Sequence, residues 1–559
     1  MTELLINKQR VVLPQEFSFE VIRENPFFTK NGTFTLDVTL SLLNKANARI
    51  FKHIHRFNVD KKTEELTAFL KVDNIVFING TAIVDEITNE EITLQLLSGN
   101  SELNFVIGGD KKLNELPLGN APEITPYTID AYVRKTYPEV EWQFVPIYSE
   151  NEDCRFNDIE QDNLVFYIAD MEKTIIQPFL CTIIFNVFKS LGYNITRNDI
   201  ESSKYNTLFC VNGVITSEYA KMLPDWTVTD FLSEIENLFN SILFLDAYTK
   251  NVEILFRGNY FENCKIIAIE DVLDEYSIKV DKDKQFFNKN TNIAYDIPSE
   301  DDYFKYQRLN DDVKNVITEY VIKENRHDVK AQFDSDFPDF SKRKIYKNKE
   351  TDTEYIQAYI NTGYGLRKVE ILKDLLNNPD TSDKIVLKII PAPLHLAARD
   401  GTSGPPITQT YSPFRDENDD TMSIFDILEN GLSKEETNTQ LKLAFFDGPR
   451  PIGRVPYPQA YIDYIDDSFS IVDDEYTNNE GKTLRLAGKH GLNELYESGI
   501  EVDGKNEYVI TFLFKGSDID VRSIFMIKNK RFACKELRYE ITQNGISKQI
   551  QGTFYEMKN

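Results

Sequence analysis

Hydrophobic and polar residues alternate over residues 17–40 of the chain. The apolar members of this pattern are Phe17, Phe19, Val21, Phe34, Leu36, Val38 and Leu40. A period of two is typical of antiparallel strands with one buried face, and Asn25-Pro26 and Asn31-Gly32 supply turns. Similar runs follow at residues 68–77, 81–87 and 92–97. The pattern therefore predicts an N-terminal β domain over residues 1–125.

Two stretches between residues 126 and 275 show helical periodicity instead. Near residues 178–191, Pro178 can lie in the first turn and Gly192 can end the helix. Near residues 227–240, Thr227 is a suitable N-cap and Asp230 can complete a capping box. The apolar face of this second helix comprises Phe231, Leu232, Ile235, Leu238 and Phe239. Short apolar runs at residues 242–245 and 252–256 follow, so residues 126–275 are predicted to form an α+β domain containing a helix and a hairpin.

The remaining residues predict two further units. Residues 276–400 are rich in charged and turn-forming residues and predict a mixed, β-rich domain. Strand-like runs at residues 508–514, 524–527, 532–537 and 550–555 predict a C-terminal β domain over residues 401–559. The predicted fold class is therefore α+β and predominantly β, with several antiparallel β domains and a small helix-plus-hairpin α/β insert.

Composition agrees with a chain that folds into several domains. The chain has 559 residues, and single cores stop growing near roughly 250 to 300 residues. Its 90 Asp and Glu residues outnumber 63 Lys and Arg, which gives a net charge of -27. This charge would repel a phosphate backbone, so no specific nucleic-acid binding is predicted, and the short basic run at residues 341–349 is interpreted as a solvated face.

Targeting signals and cysteine motifs are not evident. The N-terminal residues lack the continuous apolar core of a signal peptide, and no segment approaches the roughly 20 apolar residues that span a bilayer. We therefore expect no membrane span and no secretion through a signal peptide. The five cysteines are scattered, without a C-x-x-C pair, and are interpreted as small buried hydrophobic residues: Cys154, Cys181, Cys210, Cys264 and Cys534.

Several short motifs resemble binding sites but lack a required residue. Gly481-Lys482-Thr483 has Tyr476 where a phosphate-binding loop needs glycine. Gly363-Tyr364-Gly365 lacks the third glycine of a dinucleotide fingerprint and is interpreted as a turn. Asp281-Lys282-Asp283 begins like a calcium loop but reaches Asn292 at the closing position, which favours a solvated acidic turn. We therefore predict no cofactor at these places.

The candidate catalytic and metal-binding motifs also lack residues that such sites require. His53 and His55 could share one face of a strand, but no third ligand stands near them in sequence. Gly401-Thr402-Ser403-Gly404 does not match the Gly-x-Ser-x-Gly of a nucleophile elbow. No catalytic, cofactor-binding or metal-binding residue is predicted, and no cofactor. A pair of glycosidase-type carboxylates remains open because such acids have no fixed sequence spacing. Trp226 is expected to pack back on the helix that follows it.

One segment resembles a known family. The stretch PDWTVTDFLSEIENLFNSILFLDAYTKNVEILF, residues 224–256, is similar to a helix and two strands found in tail hub and tail-associated baseplate proteins of phages. The runs at residues 25–42, 175–195 and 526–557 are similar in character to large prophage proteins of Bacteroides-type bacteria. The resemblance implies a non-enzymatic subunit of a ring, usually a homotrimer, that continues the tail tube and contacts spike or baseplate partners. It implies assembly in the bacterial cytoplasm and then residence in the virion tail.

Two other interpretations compete with the tail hub. A tail-associated enzyme that cleaves glycan or peptidoglycan would show two facing carboxylates in a cleft, one of them with a raised pKa. A glycan-binding protein of the cell surface would require export, which the absence of a signal sequence disfavours. The hub interpretation itself predicts apolar residues that are exposed on the isolated protomer and buried in the ring.

Overall fold

The computed structural model describes most of the chain. The described residues are 2–61, 66–125, 128–149, 154–157, 159–162, 165–168, 171–212, 215–246, 248–282, 287, 293–296, 317–336, 343–350, 353–360, 363–368, 385–392, 394–397, 407–411, 441–452, 455–461, 482–484, 486 and 490–558. Strands predominate and most sheets contain antiparallel pairs, so the predicted fold class, α+β and predominantly β, is confirmed.

The strands of the first half are short except in the N-terminal sheet. They are β1 (Thr2–Ile6), β2 (Gln9–Arg10), β3 (Ser18–Glu24), β4 (Thr33–Thr35), β5 (Val38–Ser41), β6 (Leu66–Val72), β7 (Ile75–Ile87), β8 (Glu91–Ser98), β9 (Trp142–Gln143), β10 (Ile147–Ser149), β11 (Cys154–Phe156), β12 (Ile159–Asp162), β13 (Val165–Ile168), β14 (Gln177–Pro178), β15 (Asn194–Asn198), β16 (Leu208–Cys210), β17 (Ser241–Leu245), β18 (Asn251–Phe256), β19 (Ile266–Ile269) and β20 (Val272–Val280).

The second half ends in four strands that return to the N-terminal sheet. Its strands are β21 (Ile293–Tyr295), β22 (Ile317–Lys323), β23 (Arg343–Asn348), β24 (Thr353–Ile360), β25 (Gly363–Lys368), β26 (Ile385–Leu387), β27 (Ile389–Pro391), β28 (Leu394–Ala397), β29 (Ile407–Tyr411), β30 (Leu441–Ile452), β31 (Val455–Tyr461), β32 (Glu501–Leu513), β33 (Ile524–Ile527), β34 (Lys530–Thr542) and β35 (Gly545–Lys558). The α-helices of the described residues are α1 (Lys45–Ile50), α2 (Asn100–Ile107), α3 (Thr128–Tyr132), α4 (Leu180–Ser190), α5 (Val228–Phe239), α6 (Arg326–Asp336) and α7 (Asn493–Glu497).

The two ends of the chain share one sheet. Within the described residues it has fourteen strands, with the main order β2-β1-β6-β7-β8-β4-β3-β34-β35-β32-β20. Strand β5 pairs with β8, and β19 pairs with β33, which pairs with β34. Residues of the first and last predicted domains therefore meet where β3 pairs antiparallel with β34, with Val21 opposite Tyr539. One buried cluster continues across this junction, and the four domain boundaries stay predictions.

The helix and hairpin form as their residues predict. Thr227 accepts the N–H of Asp230, whose carboxylate accepts the N–H of Thr227, so the capping box is complete. The helix ends at Asn240 in a left-handed conformation, and β17 and β18 then pair antiparallel. Helix α4 ends at Ser190, and the positive φ of Gly192 lets the backbone reverse and satisfy the last carbonyl groups. Trp226 is buried in the same cluster as Phe231, as the predicted packing on the helix requires.

Helices in the described part of the chain are short or amphipathic. None of them combines the length and the apolar character that crossing a membrane needs.

Candidate functional site

Strand β20 forms one edge of the fourteen-stranded sheet. Tyr276, Ile278 and Val280 alternate with Ser277 and Lys279, so the three apolar side chains lie on one face of the strand. In the described residues β20 pairs only with β32, which leaves the other side of its backbone without a strand partner. The alternation that predicts a half-buried strand is therefore present at a sheet edge.

The apolar side chains of this edge are exposed. The exposed fraction is 58% for Tyr276, 44% for Ile278 and 64% for Val280. In the pairing register Tyr276 lies opposite Ile510, and Ile278 lies opposite Tyr508. Ile510 is buried and Tyr508 packs against the same core, so the apolar face of the sheet continues outward onto β20. We call Tyr276, Ile278 and Val280 the β20 edge. A core face that runs uncovered to a sheet edge is typical of a subunit contact.

A carboxylate network fixes β20 against its neighbour. Glu507 in β32 forms ion pairs with Lys535 at 2.9 Å and with Lys279 of β20 at 3.3 Å, and it accepts the hydroxyl of Tyr555 at 2.7 Å. Burial alone would raise the pKa of Glu507. The hydrogen bonds from Tyr555 and Lys535 outweigh this effect and lower the pKa to about 2. The charged carboxylate therefore stabilises the position of the β20 edge.

This network predicts a pH dependence of stability. The pKa of Glu507 is lower in the folded chain than the ordinary value of 4.5, so its contribution is complete above pH 4.5 and is lost as the pH falls toward about 2. Glu507→Gln should lower the free energy of unfolding by about 1 kcal/mol at pH 7, after allowance for solvent screening, and should have little effect at about pH 2. Urea unfolding at several pH values measures this difference. Glu540→Gln, at an exposed carboxylate of β34, serves as the control, and an equal acid response in both variants would contradict the prediction.

The helix and hairpin are attached to the same sheet by two partly buried arginines. Arg522 pairs with Glu253 of β18 at 2.9 Å, donates to the carbonyl oxygen of Tyr260 at 3.0 Å, and lies over the rings of Phe244 and Tyr260. Arg257 donates to the carbonyl oxygen of Phe27 at 2.7 Å. Such planar groups form several directed hydrogen bonds at once, so the hairpin has a defined position on the sheet that carries the β20 edge.

The two histidines singled out by sequence do not lie on a strand, and that prediction is wrong. His53 has a positive φ and lies in a series of turns between α1 and β6. The left-handed backbone at Lys52 and His53 breaks the extended conformation that a strand requires. The rings of His53 and His55 are 5.9 Å apart between centroids. Within the described residues no group of three His, Cys, Asp or Glu side chains is arranged to hold a metal ion.

The glycine-containing, calcium-like and basic motifs of the sequence lie partly in strands and partly outside the described residues. Gly363-Tyr364-Gly365 begins strand β25, so its interpretation as a turn is wrong. The reason is pairing, since Gly363 lies opposite Ile360 and Gly365 opposite Ala358 of β24. Gly481, Asp283 and Asn292 lie outside the described residues, as do residues 401–404. Most of the basic run at residues 341–349 forms β23, in which Lys344 pairs with Asp336. Lys349, directly after the strand, pairs with Glu324.

Cysteines and buried acids show no reactive arrangement in the described residues. Cys181, Cys210 and Cys534 are free and buried, and burial raises the pKa of each thiol, which suits their interpretation as small hydrophobic residues. The carboxylate of Glu234 in α5 also has a raised pKa because of burial. It accepts the backbone N–H of Lys388 at 2.7 Å, which gives it a structural role against β27. The sequence does not reveal this acid, because it lies on the apolar face of the helix.

Comparisons with known proteins give weak similarities. No family model matches the chain, and no curated protein matches it. The 43 kDa tail protein of prophage MuSo2 from Shewanella oneidensis is 7% identical, with a TM-score of 0.30 over 99% of this chain and 97% of that one. The tail protein from Neisseria meningitidis MC58 is 8% identical, with a TM-score of 0.27 over 99% of this chain and 96% of that one. TM-scores of this size lie below the level that indicates a shared fold.

Proposed function

We propose that this chain is a non-enzymatic structural subunit of a phage tail hub. In this role it forms a ring that continues the tail tube and contacts spike or baseplate proteins. The observation that carries the proposal is the helix and hairpin at residues 224–256. The sequence of that segment resembles tail hub proteins, and the segment folds into α5, β17 and β18 as the resemblance implies.

The surroundings of this segment support a structural role. Its hairpin is held on the large sheet by Arg522 and Arg257, and the same sheet ends in the exposed β20 edge. A subunit of a ring needs a rigid sheet and an apolar surface that a neighbour can cover. The net charge of -27 is also compatible with this role, because carboxylates around a lumen would let DNA pass without binding. Such a subunit would assemble in the bacterial cytoplasm and then become part of the virion tail.

The proposal predicts a discrete homotrimer in solution. The protomer has a mass of 64.8 kDa, so sedimentation velocity and light scattering should give three times this mass over a wide concentration range. The physical reason is the burial of the exposed apolar surface in a closed ring. A monomer at every concentration would contradict the trimeric ring. As a test of the non-enzymatic role, incubation with peptidoglycan and with soluble glycans should produce no new reducing ends.

A further inference from the structure

The edge of the large sheet opposite β20 carries an unusual concentration of positive charge. Residues 43–61 contain five Lys or Arg and a single Asp, in a chain with a net charge of -27. The cations are Lys45, Arg49, Lys52, Arg56 and Lys61, and the acid is Asp60. Lys8 and Arg10 of the adjoining β1–β2 hairpin add two more exposed cations. We call residues 43–61 the basic segment.

The basic segment has a fixed position on the sheet. The side chain of Asn47 accepts the N–H of Val12 at 2.8 Å and donates to the carbonyl oxygens of Val12 and Ser41 at 2.8 and 3.0 Å. Phe51 and Ile54 are buried in the core of the sheet. Lys61 donates to the carbonyl oxygens of Ile54 and Arg56, which holds the turns together. The charges are therefore presented by an anchored structure at the β2 edge.

Apolar side chains accompany these charges. Phe57 is fully exposed, and the exposed fraction of Leu43 is 68%. Within the described residues Lys45, Arg49 and Arg56 are exposed and form no ion pair. The pKa of His55 is lowered by burial and by the charges of Arg56, His53 and Lys61, as a positive surface requires. Exposed apolar residues among uncompensated cations are typical of a surface that binds an acidic, partly apolar partner.

The β20 edge has the complementary character. In sequence, residues 270–282 contain five acids and two lysines: Glu270, Asp271, Asp274, Glu275 and Asp281 against Lys279 and Lys282. Lys515 pairs with Glu270 at 3.5 Å and with Asp271 at 3.1 Å. The exposed side chains of Tyr276, Ile278 and Val280 lie in the middle of this acidic sequence. By sequence, the segment at the β20 end of the sheet is therefore net acidic and the segment at the β2 end is net basic, and both present exposed apolar residues. Because both edges belong to the same chain, each copy carries a basic segment and a β20 edge that can bind the complementary surfaces of neighbouring copies.

We infer that the basic segment of one copy binds the β20 edge of a second copy in a head-to-tail contact. This inference rests on the proposed ring and specifies which surfaces would close it. A contact between two different patches produces rings when the rotation closes and open chains when it does not. Opposite charges would favour the head-to-tail contact. A contact between two β20 edges would be disfavoured, because the acidic residues of the two copies would repel each other.

Complementary variants test the direction of the contact. The first variant, Arg49→Glu with Phe57→Asp, disables the basic segment without changing its anchors Asn47, Phe51 and Ile54. The second, Ile278→Lys with Val280→Lys, disables the β20 edge. Each variant alone should self-associate at least about tenfold more weakly than the unmodified chain, because charge and apolar contact are both lost. An equimolar mixture should form a 1:1 heterodimer and no larger species, since one functional edge remains on each partner.

A control variant separates the effect of the two edges from that of a general surface change. Phe185→Asp makes the same kind of change at an exposed residue of α4, away from both edges, and should associate like the unmodified chain. Circular dichroism checks folding, and Lys45→Glu with Arg56→Glu replaces the first variant if that variant fails to fold. Sedimentation velocity supplies all masses, at about 0.05 and 0.5 M salt, and association should weaken at the higher salt.

The results separate this inference from the proposed function. If the unmodified chain is a trimer and both edge variants remain trimers, the head-to-tail contact is wrong while the ring stands. If only the β20 variant loses association and the first variant still associates with itself, a contact between two β20 edges replaces the head-to-tail contact. If the mixture stays monomeric, the head-to-tail contact is wrong. If the chain forms open head-to-tail polymers, the contact is correct and the trimeric ring is wrong. A monomer under all conditions overturns both.

Discussion

Arg23→Ala is expected to lower the free energy of unfolding by about 3 to 5 kcal/mol, because it removes a buried guanidinium that donates to two backbone carbonyl groups, pairs with Asp518 and lies over two aromatic rings. The guanidinium of Arg23 in β3 contacts Asp518 at 2.6 Å and donates to the carbonyl oxygens of Ile519 and Val76 at 3.1 and 3.0 Å. It also contacts the hydroxyl of Tyr248 at 3.1 Å and lies over the rings of Phe77 and Tyr539. These residues come from the N-terminal strands, the hairpin and the C-terminal strands.

Alanine would leave the carbonyl oxygens of Ile519 and Val76 without the guanidinium, whereas the half-exposed carboxylate of Asp518 keeps the hydroxyl of Tyr248 as a donor. The change should therefore loosen the junction between the hairpin and the sheet as well as the sheet itself. Urea unfolding followed by circular dichroism measures the stability, and limited proteolysis in the loop of residues 246–250 reports the loosened hairpin. Arg538→Ala is the matched control, since the Arg538 side chain of β34 is 40% exposed and pairs with Glu536 at 3.1 Å. It should cost about 1 kcal/mol or less, and similar losses in the two variants would contradict the role given to Arg23.

The sequence predicts the strands and the helix that meet around Arg23, but it does not predict that they meet. Alternation around Val21 identifies a strand, and the cap at Thr227 identifies a helix, because both signals lie within a few residues of the element. Arg23 and Asp518 are separated by 495 residues, and no local pattern connects them. For the same reason the pairing of β3 with β34 could not be predicted. The chain was divided into N-terminal and C-terminal units, while the structure joins strands of both in one sheet.

The candidate site was predictable only in part. Apolar residues at positions 276, 278 and 280 indicate a strand with an apolar face, but alternation does not show whether another element covers that face. Exposure at the β20 edge depends on sheet order, which is a property of distant pairings. The overall charge of -27 does not indicate the basic segment, because it averages out a local excess of cations. A charge count over short windows would have identified residues 43–61 as different from the rest of the chain.

Asn25→Ala is expected to lower the free energy of unfolding by about 3 to 5 kcal/mol, although the sequence predicts only a turn at Asn25. Its side chain is fully buried and donates to the carbonyl oxygens of Val521 and Cys534 at 3.0 and 2.8 Å. Its own oxygen accepts the hydroxyl of Tyr260 at 2.7 Å and the N–H of Phe27 at 3.1 Å. Alanine would remove these four hydrogen bonds, and each buried group left without a partner costs roughly 1 to 3 kcal/mol.

The size of this effect depends on burial, which a matched variant can show. Asn104→Ala also removes an asparagine that donates to a backbone carbonyl, that of Lys30 at 2.7 Å, but Asn104 is exposed and water can replace it. Its loss should cost about 0.5 kcal/mol. Asn25→Asp keeps the shape of the side chain and turns both donors into acceptors, so it should destabilise the fold at pH 7 and recover in part at acidic pH, where the protonated acid can donate one hydrogen bond. Chemical unfolding of the three variants at pH 7 and pH 4 provides the comparison. Equal losses for Asn25→Ala and Asn104→Ala would show that the buried hydrogen bonds of Asn25 do not stabilise the fold more than exposed ones.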